Sequence, residues 1–336
     1  MSVLTKITIP PCVTRILKGT FSDCSLLECI EFSKDSKLEI IEAEEFTYAP
    51  IRSIVLPSSF SGIDEKWCHQ MKYLTSIKIV KSDVENIKYF DDKFIVGKSD
   101  QKSDIFDVLL LACRDVKYVV IPAFIKRISA YAFQFCEDVK KVIFQEKSEL
   151  KSIGFSAFSQ TNIESIQIPD HVTNISSFAL HFCEQLKTFS CSEKSELKFI
   201  GDLAFAYSSI QSLTIPSSVQ FDDKCFYKTN GLTQIKIIQN GTENFKYIDD
   251  KFIVGKNNPK SDIFDVLLFV RHDVEEVTVP LQIRRIASFA FGDCFNLKKI
   301  DFLNESQLEL IENDAFYDCN VKSLTIPASA FYFASK

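Results

Sequence analysis

The sequence predicts a solenoid of short parallel strands, on three observations. A Val/Ile/Leu-Pro dipeptide ends at Pro10, Pro57, Pro122, Pro169, Pro216, Pro280 and Pro327, at intervals of 47, 65, 47, 47, 64 and 47 residues. Self-similarity at fixed spacing marks an array whose units stack only on their neighbours. The residues before each proline alternate apolar and polar with period two, the sign of half-buried extended chain. Phe is overused, with 31 copies against a single Trp in 336 residues, so one aromatic type fills a repeated interior slot.

Each 47-residue unit is two coils. In the first, Ser165-Ile-Gln-Ile168 runs extended to Pro169, and the chain passes through His171-Val-Thr-Asn-Ile175 to Leu186. In the second, Lys187-Thr-Phe-Ser-Cys191 leads through Ser195-Glu-Leu197 and Ala204-Phe205 to the next strand. Proline at a strand exit ends the hydrogen-bonded segment. Thirteen strands are expected, centred on Thr8, Glu31, Val55, Lys78, Val120, Ile143, Gln167, Ser190, Thr214, Lys236, Thr278, Asp301 and Thr325. The Ala-Phe pair, as in Ala132-Phe133, fits a tight turn or short helical piece on the opposite wall, with Phe filling the interior.

A longer period lies above this one. Pro10 to Pro169 is 159 residues and Pro169 to Pro327 is 158, so the single solenoid holds two tandem blocks, 10–168 and 169–326. Each block carries one insertion, 88–116 and 246–274, and the two insertions match at 21 of 29 positions. In the first, a polar turn separates the extended runs Phe94-Ile-Val96 and Phe106-Asp-Val-Leu-Leu110, which is a hairpin signature.

Composition removes several functions. Net charge is −6 with both signs interleaved and no basic stripe, against the footprint of a nucleic-acid binder. Eleven cysteines are an odd number in a chain too long to need stapling. Cys24, Cys136, Cys183, Cys294 and Cys319 each stand three residues after a repeat Phe or Leu, where small buried hydrophobes belong. Free, mostly buried thiols are expected. The N-terminal Met1-Ser-Val-Leu-Thr-Lys-Ile-Thr-Ile-Pro10 already reads as a repeat strand rather than a signal peptide, and no stretch approaches a membrane helix.

The order strand-Pro, V-T-x-I, A-F-x-x-C, strand, S-x-L-x-x-I, as between Pro280 and Ile326, resembles the BspA-like leucine-rich repeat proteins of bacteria and mucosal protozoan parasites. The inserted hairpins also resemble an element that interrupts those repeats. The resemblance implies a right-handed leucine-rich repeat solenoid. Its parallel sheet would form the concave face, with turns or short helical pieces on the convex one. For some members it also implies surface display and binding of host or matrix proteins.

No phosphate loop, dinucleotide fingerprint or catalytic motif is present, so neither an enzyme nor a cofactor is expected. His69, His171, His181 and His272 stand alone, without zinc spacing. The acids Asp91, Asp92, Asp104 and Asp107, repeated as Asp249, Asp250, Asp262 and Asp265, are interleaved with lysines and fit no calcium loop. They read as solvated turn acids. Sequons at Asn174, Asn240 and Asn304 would carry glycan only on an exported chain.

Most of the strand face reads Thr, Ser, Lys, Gln and Glu, as at Lys6 and Thr8 or Ser212 and Thr214. One stretch departs from this: Tyr118, Val120, Lys141 and Ile143 form the candidate ligand patch, for which cross-strand packing beneath the hairpin is the alternative. Two functions stay open. One is recognition of a protein or glycan by the strand face or hairpins of a surface or secreted protein. The other is an intracellular scaffold in the cytoplasm. Phe331, Tyr332 and Phe333 near an uncapped end predict self-association.

Overall fold

The structure is a computed structural model and describes residues 3–42, 46, 49–60, 67–90, 93–222, 224–258, 260–330 and 332–333. The chain divides into two compact units, Met1–Ile163 and Glu164–Lys336. Each is built from parallel ladders with one antiparallel insertion, and no helix occurs among the described residues.

In the first unit, Lys6–Ile9, Cys29–Phe32, Ser53–Pro57 and Ser76–Val80 form one parallel ladder, and Val119–Ile121 with Val142–Phe144 a second. In the second unit, Ser165–Gln167, Thr188–Ser190, Ser212–Pro216 and Gln234–Ile238 form the corresponding ladder, followed by the pair Glu276–Val279 and Lys299–Phe302. Twelve of the thirteen expected strands are therefore present. The thirteenth, around Thr325, runs without strand pairing. Register partners such as Ile7 and Ile30, or Leu213 and Ile235, stack apolar on apolar along each ladder.

Each proline begins a tight turn. The amide three residues on donates to its carbonyl in all seven cases, from Val13 to Pro10 at 3.2 Å through Ala330 to Pro327 at 3.1 Å. Ser-x-Leu is a local turn as well. The leucine amide donates to the serine Oγ at 3.2 Å for Leu38 and Ser36, and at 3.3 Å for Leu150 and Ser148 and for Leu197 and Ser195.

Past these turns lie two-residue strands that form a short-strand ladder: Arg15–Ile16 with Ile40–Ile41, and Arg127–Ile128 with Ser152–Ile153, in the first unit. In the second unit it comprises Asn174–Ile175, Phe199–Ile200 and Gln220–Phe221, and separately Arg285–Ile286, Leu310–Ile311 and Tyr332–Phe333.

The opposite wall is made of turns rather than helical pieces, because its amides are used between coils. Phe133 N donates to Ala157 O at 2.8 Å and Phe291 N to Ala315 O at 2.8 Å. A residue bonded to the next coil cannot also close an α-helical turn. Tyr131, Phe135, Phe178 and Phe182 take left-handed φ values of 55° to 63°, which ends any helix at that point.

Phenylalanines stack in the interior: Phe21 on Phe46 at 5.8 Å, Phe133 on Phe158 at 5.1 Å, and Phe291 on Phe316 at 5.0 Å. Burial of each such ring contributes on the order of 2 kcal/mol.

The insertions are three-stranded antiparallel meanders: Ile87–Phe90, Phe94–Gly97 and Val108–Ala112, and Phe245–Ile248, Phe252–Gly255 and Val266–Val270. Their third strands pair in parallel with Arg127–Ile128 and Arg285–Ile286. Each meander is thus continuous with the short-strand ladder of its own unit.

Candidate binding surfaces

The meander tips are built alike. Ser103 N donates to Asp100 O and Ser261 N to Asn258 O, both at 2.9 Å. Lys102 N reaches Asp100 Oδ1 at 2.9 Å and Lys260 N reaches Asn258 Oδ1 at 3.0 Å. Asp107 accepts from Ser99 N at 3.0 Å, and Asp265 from Asn257 N at 2.9 Å. These bonds account for the shared Asx and Ser residues of the turn. They leave two shared features unexplained. Ile105 and Ile263 are 55% and 56% exposed at the tip. Beside them Phe106 lies under Lys88 at 4.1 Å and Lys98 at 5.1 Å, and Phe264 lies under Lys246 at 4.5 Å and Lys256 at 4.8 Å. Among the described residues Lys246 pairs with Glu243 at 3.0 Å, while Lys88, Lys98 and Lys256 have no acidic partner.

The strand-face patch is brought together by register. Val120 lies opposite Ile143, with Tyr118 and Lys141 just before the paired segments. Tyr118 is 55% exposed and Ile143 40%, Lys141 is exposed, and Val120 is half-buried. Lys93, in the first meander, sits over the Tyr118 ring at 4.3 Å. The meander therefore covers one edge of this patch.

The turn wall of the second unit holds a row of aromatics that sequence reading missed. Phe182 stacks on Tyr207 at 4.4 Å, Tyr207 meets Tyr227 at 5.4 Å, and Tyr227 meets Phe289 at 4.8 Å and Tyr317 at 5.7 Å. Lys228 closes the row: its Nζ is 2.7 Å from Asp293 Oδ1 and 2.6 Å from Asp318 Oδ2, and its amide donates to Asp293 Oδ2 at 2.9 Å. Burial opposes the ammonium charge, and the two carboxylates outweigh it, so the group is held above its ordinary range. In the first block the corresponding residues are Gln70, Phe135 and Gln160. No charge of this kind is repeated there.

Where each meander rejoins the coils, one side chain serves the backbone. Arg114 is buried, and donates from Nε to Met71 O at 3.1 Å, from Nη1 to Ala132 O at 3.0 Å and from Nη2 to Tyr131 O at 3.3 Å. The matching residue in the second block is His272, also buried, with Nδ1 3.0 Å from Thr229 O.

The BspA-type leucine-rich repeat profile matches residues 1–93, 104–233 and 265–336, in six copies. The chain belongs to the BspA-type leucine-rich repeat family. The stretches outside the match fall on the first meander and on the second meander with the strand before it. No curated protein matches. Among solved structures, the pneumococcal vaccine antigen PcpA is 21% identical with a TM-score of 0.55, over 83% of this chain and 61% of that one. This chain thus spans under two thirds of the antigen's length. A leucine-rich repeat protein of Eubacterium ventriosum is 15% identical, TM-score 0.47, over 97% of this chain and 80% of that one. A leucine-rich cell surface protein of Faecalibacterium prausnitzii is 16% identical, TM-score 0.46, over 72% and 89%.

On this BspA-type frame the remaining candidates scatter. Asn174 is half-buried in a short strand, whereas Asn240 and Asn304 are exposed. Asp91 and Asp92 lie outside the described residues, and Asp107 is a buried turn cap with Lys126 at 3.4 Å. Among the described residues no group of three His, Cys, Asp or Glu side chains converges as a metal site. His69 packs on Tyr131 at 4.7 Å, His171 meets Glu196 at 3.0 Å, and burial lowers the His181 pKa to about 4. All eleven thiols are free; six are buried, Cys24, Cys29, Cys113 and Cys319 are half-buried, and Cys12 is exposed. Phe331 lies outside the described residues, while Tyr332–Phe333 is the last rung of the short-strand ladder. No helix among the described residues is long and apolar enough to cross a membrane.

Proposed function

We propose that the chain is a non-catalytic binding protein whose two meander tips hold a protein partner. The observation that carries this is the duplicated tip. Ile105 and Ile263 are exposed and identical, although neither contributes to the ladder, and each adjoins a phenylalanine flanked by two lysines. An apolar anchor beside cations suits a partner surface with an apolar pocket and an acidic rim. Two like tips on one chain multiply affinity for a repeated or multivalent partner. The strand-face patch, Tyr118, Val120, Lys141 and Ile143, adjoins the first meander through Lys93, at the end opposite the tip, and is a separate candidate surface. The family match and the likeness to the PcpA vaccine antigen support a surface role.

The test is binding to intact epithelial cells and to immobilised extracellular-matrix proteins. Ile105→Glu and Ile263→Glu each weaken binding several-fold and together abolish it, with melting temperature unchanged. A double variant that binds like the parent chain removes the tips from the reading. Eleven free thiols support a second reading, an intracellular scaffold. Antibody access to the tagged protein on intact cells rules it out; access only after permeabilisation favours it.

A further inference from the structure

The second unit contains a cavity of about 370 Å³ on its turn wall, lined by Glu184, Tyr207, Ser208, Gln211, Lys228 and Asn230, among others. Its volume falls in the range of small-molecule sites, about 300 to 1,000 Å³. We propose that it is a binding subsite for a neutral or amino sugar ring, separate from the meander tips.

Three observations carry this. Ser208 is only 5% exposed, and its Oγ is buried with no hydrogen-bond partner in the structure. Ser208 lines the hollow, and a rotamer change that turns this unpaired hydroxyl toward it would give a ligand hydroxyl as its partner. Glu184, Gln211 and Asn230 are exposed and, among the described residues, have no side-chain hydrogen bond or ion pair to protein. A carboxylate and two amides around one hollow supply donors and acceptors in the mixture that sugar hydroxyls require. Tyr207, 37% exposed, is held by Phe182 stacked at 4.4 Å and lines the same hollow. A rigid aromatic plane suits the apolar face of a pyranose.

Charge narrows the ligand. Lys228 is already satisfied by Asp293 and Asp318, and Glu184 adds a further negative charge, so one cation stands among three acids. Sialic and uronic acids are therefore disfavoured against neutral hexoses, N-acetylhexosamines and free amino sugars.

Saturation-transfer NMR on the full chain tests the subsite, with methyl hexopyranosides, N-acetylglucosamine, glucosamine and N-acetylneuraminic acid as probes. Transfer is expected to at least one neutral or amino sugar and at least tenfold less to the acid. Tyr207→Ala is expected to abolish transfer. Because that change disturbs the aromatic row, Asn230→Ala and Gln211→Ala, both at exposed positions, are measured beside it. They weaken the sugar at least threefold without moving the melting temperature. No transfer to any sugar at millimolar concentration, equal transfer to the acid, or full transfer in both exposed-site variants would overturn the proposal. Ile105→Glu with Ile263→Glu leaves sugar transfer unchanged, so this subsite and the meander tips stand or fall apart.

Discussion

The two blocks place different residues against the same carbonyl, and the difference makes one unit sensitive to pH. The Arg114 guanidinium donates to three carbonyls. His272 serves one, and burial drives its pKa down, with Asp293 and Asp273 opposing from nearby. The unfolded chain then takes the proton first as pH falls through about 6.5. Stability present above that pH is lost as pH drops toward the folded value. His181, lowered to about 4 by burial, acts in the same direction. The urea midpoint should therefore fall between pH 7.5 and 5.5. His272→Gln should flatten part of that slope, and His181→Gln with it most of the rest; an unchanged slope in the double variant contradicts the assignment. Sequence reading treated both histidines as isolated, since neither motif nor spacing shows which carbonyl a side chain meets across 43 residues.

The coils are held apart by a fixed clearance that glycine sets. A Cβ on Gly154 would lie 2.6 Å from Ala130 N and 2.7 Å from Ile128 O, and one on Gly201 would lie 2.5 Å from Ser177 N. These neighbours are backbone, so the short-strand ladder itself would have to move. Gly154→Ala should cost about 1 to 3 kcal/mol, read as a lower urea midpoint; a midpoint within error of the parent would show that the ladder yields. The long strands, their prolines and the stacked phenylalanines were legible in the sequence because period two and the 47-residue interval report burial directly. The short-strand ladder was not legible, since two-residue strands carry no periodicity. The hairpin's two strands were legible, but the meander's first strand, Ile87–Phe90, was not, and neither was the pairing of Val108–Ala112 with Arg127–Ile128, which is set by the fold of the following coil. Of the candidate site, Tyr118, Val120 and Ile143 stood out as exceptions to a polar face. The Lys-Phe-Lys tips did not, because cations separated by ten residues look like ordinary charge interleaving. Asp107 was misleading, being a buried cap rather than a solvated acid.

Across the whole molecule, the pattern of thiol burial gives a simple check. Burial lifts Cys68 and Cys136 to about 11 even with Arg114 alongside, and lifts Cys191 to about 12. At pH 8 such groups are almost entirely protonated and unreactive. A thiol reagent should therefore label Cys12 first and the half-buried cysteines more slowly, with all eleven reacting only in denaturant. Fewer than eleven on unfolding would mean that a disulfide forms in the cell. The meanders raise a question of timing rather than of strength. In the first unit Cys68 Sγ reaches Ala130 O across 62 residues, and in the second Lys228 reaches Asp293 across 65. Both clasps leap over a meander. Closing so long a loop is entropically costly while it is slack. A folded meander shortens it, so the coils on either side are expected to dock late, each waiting for its own insertion to form.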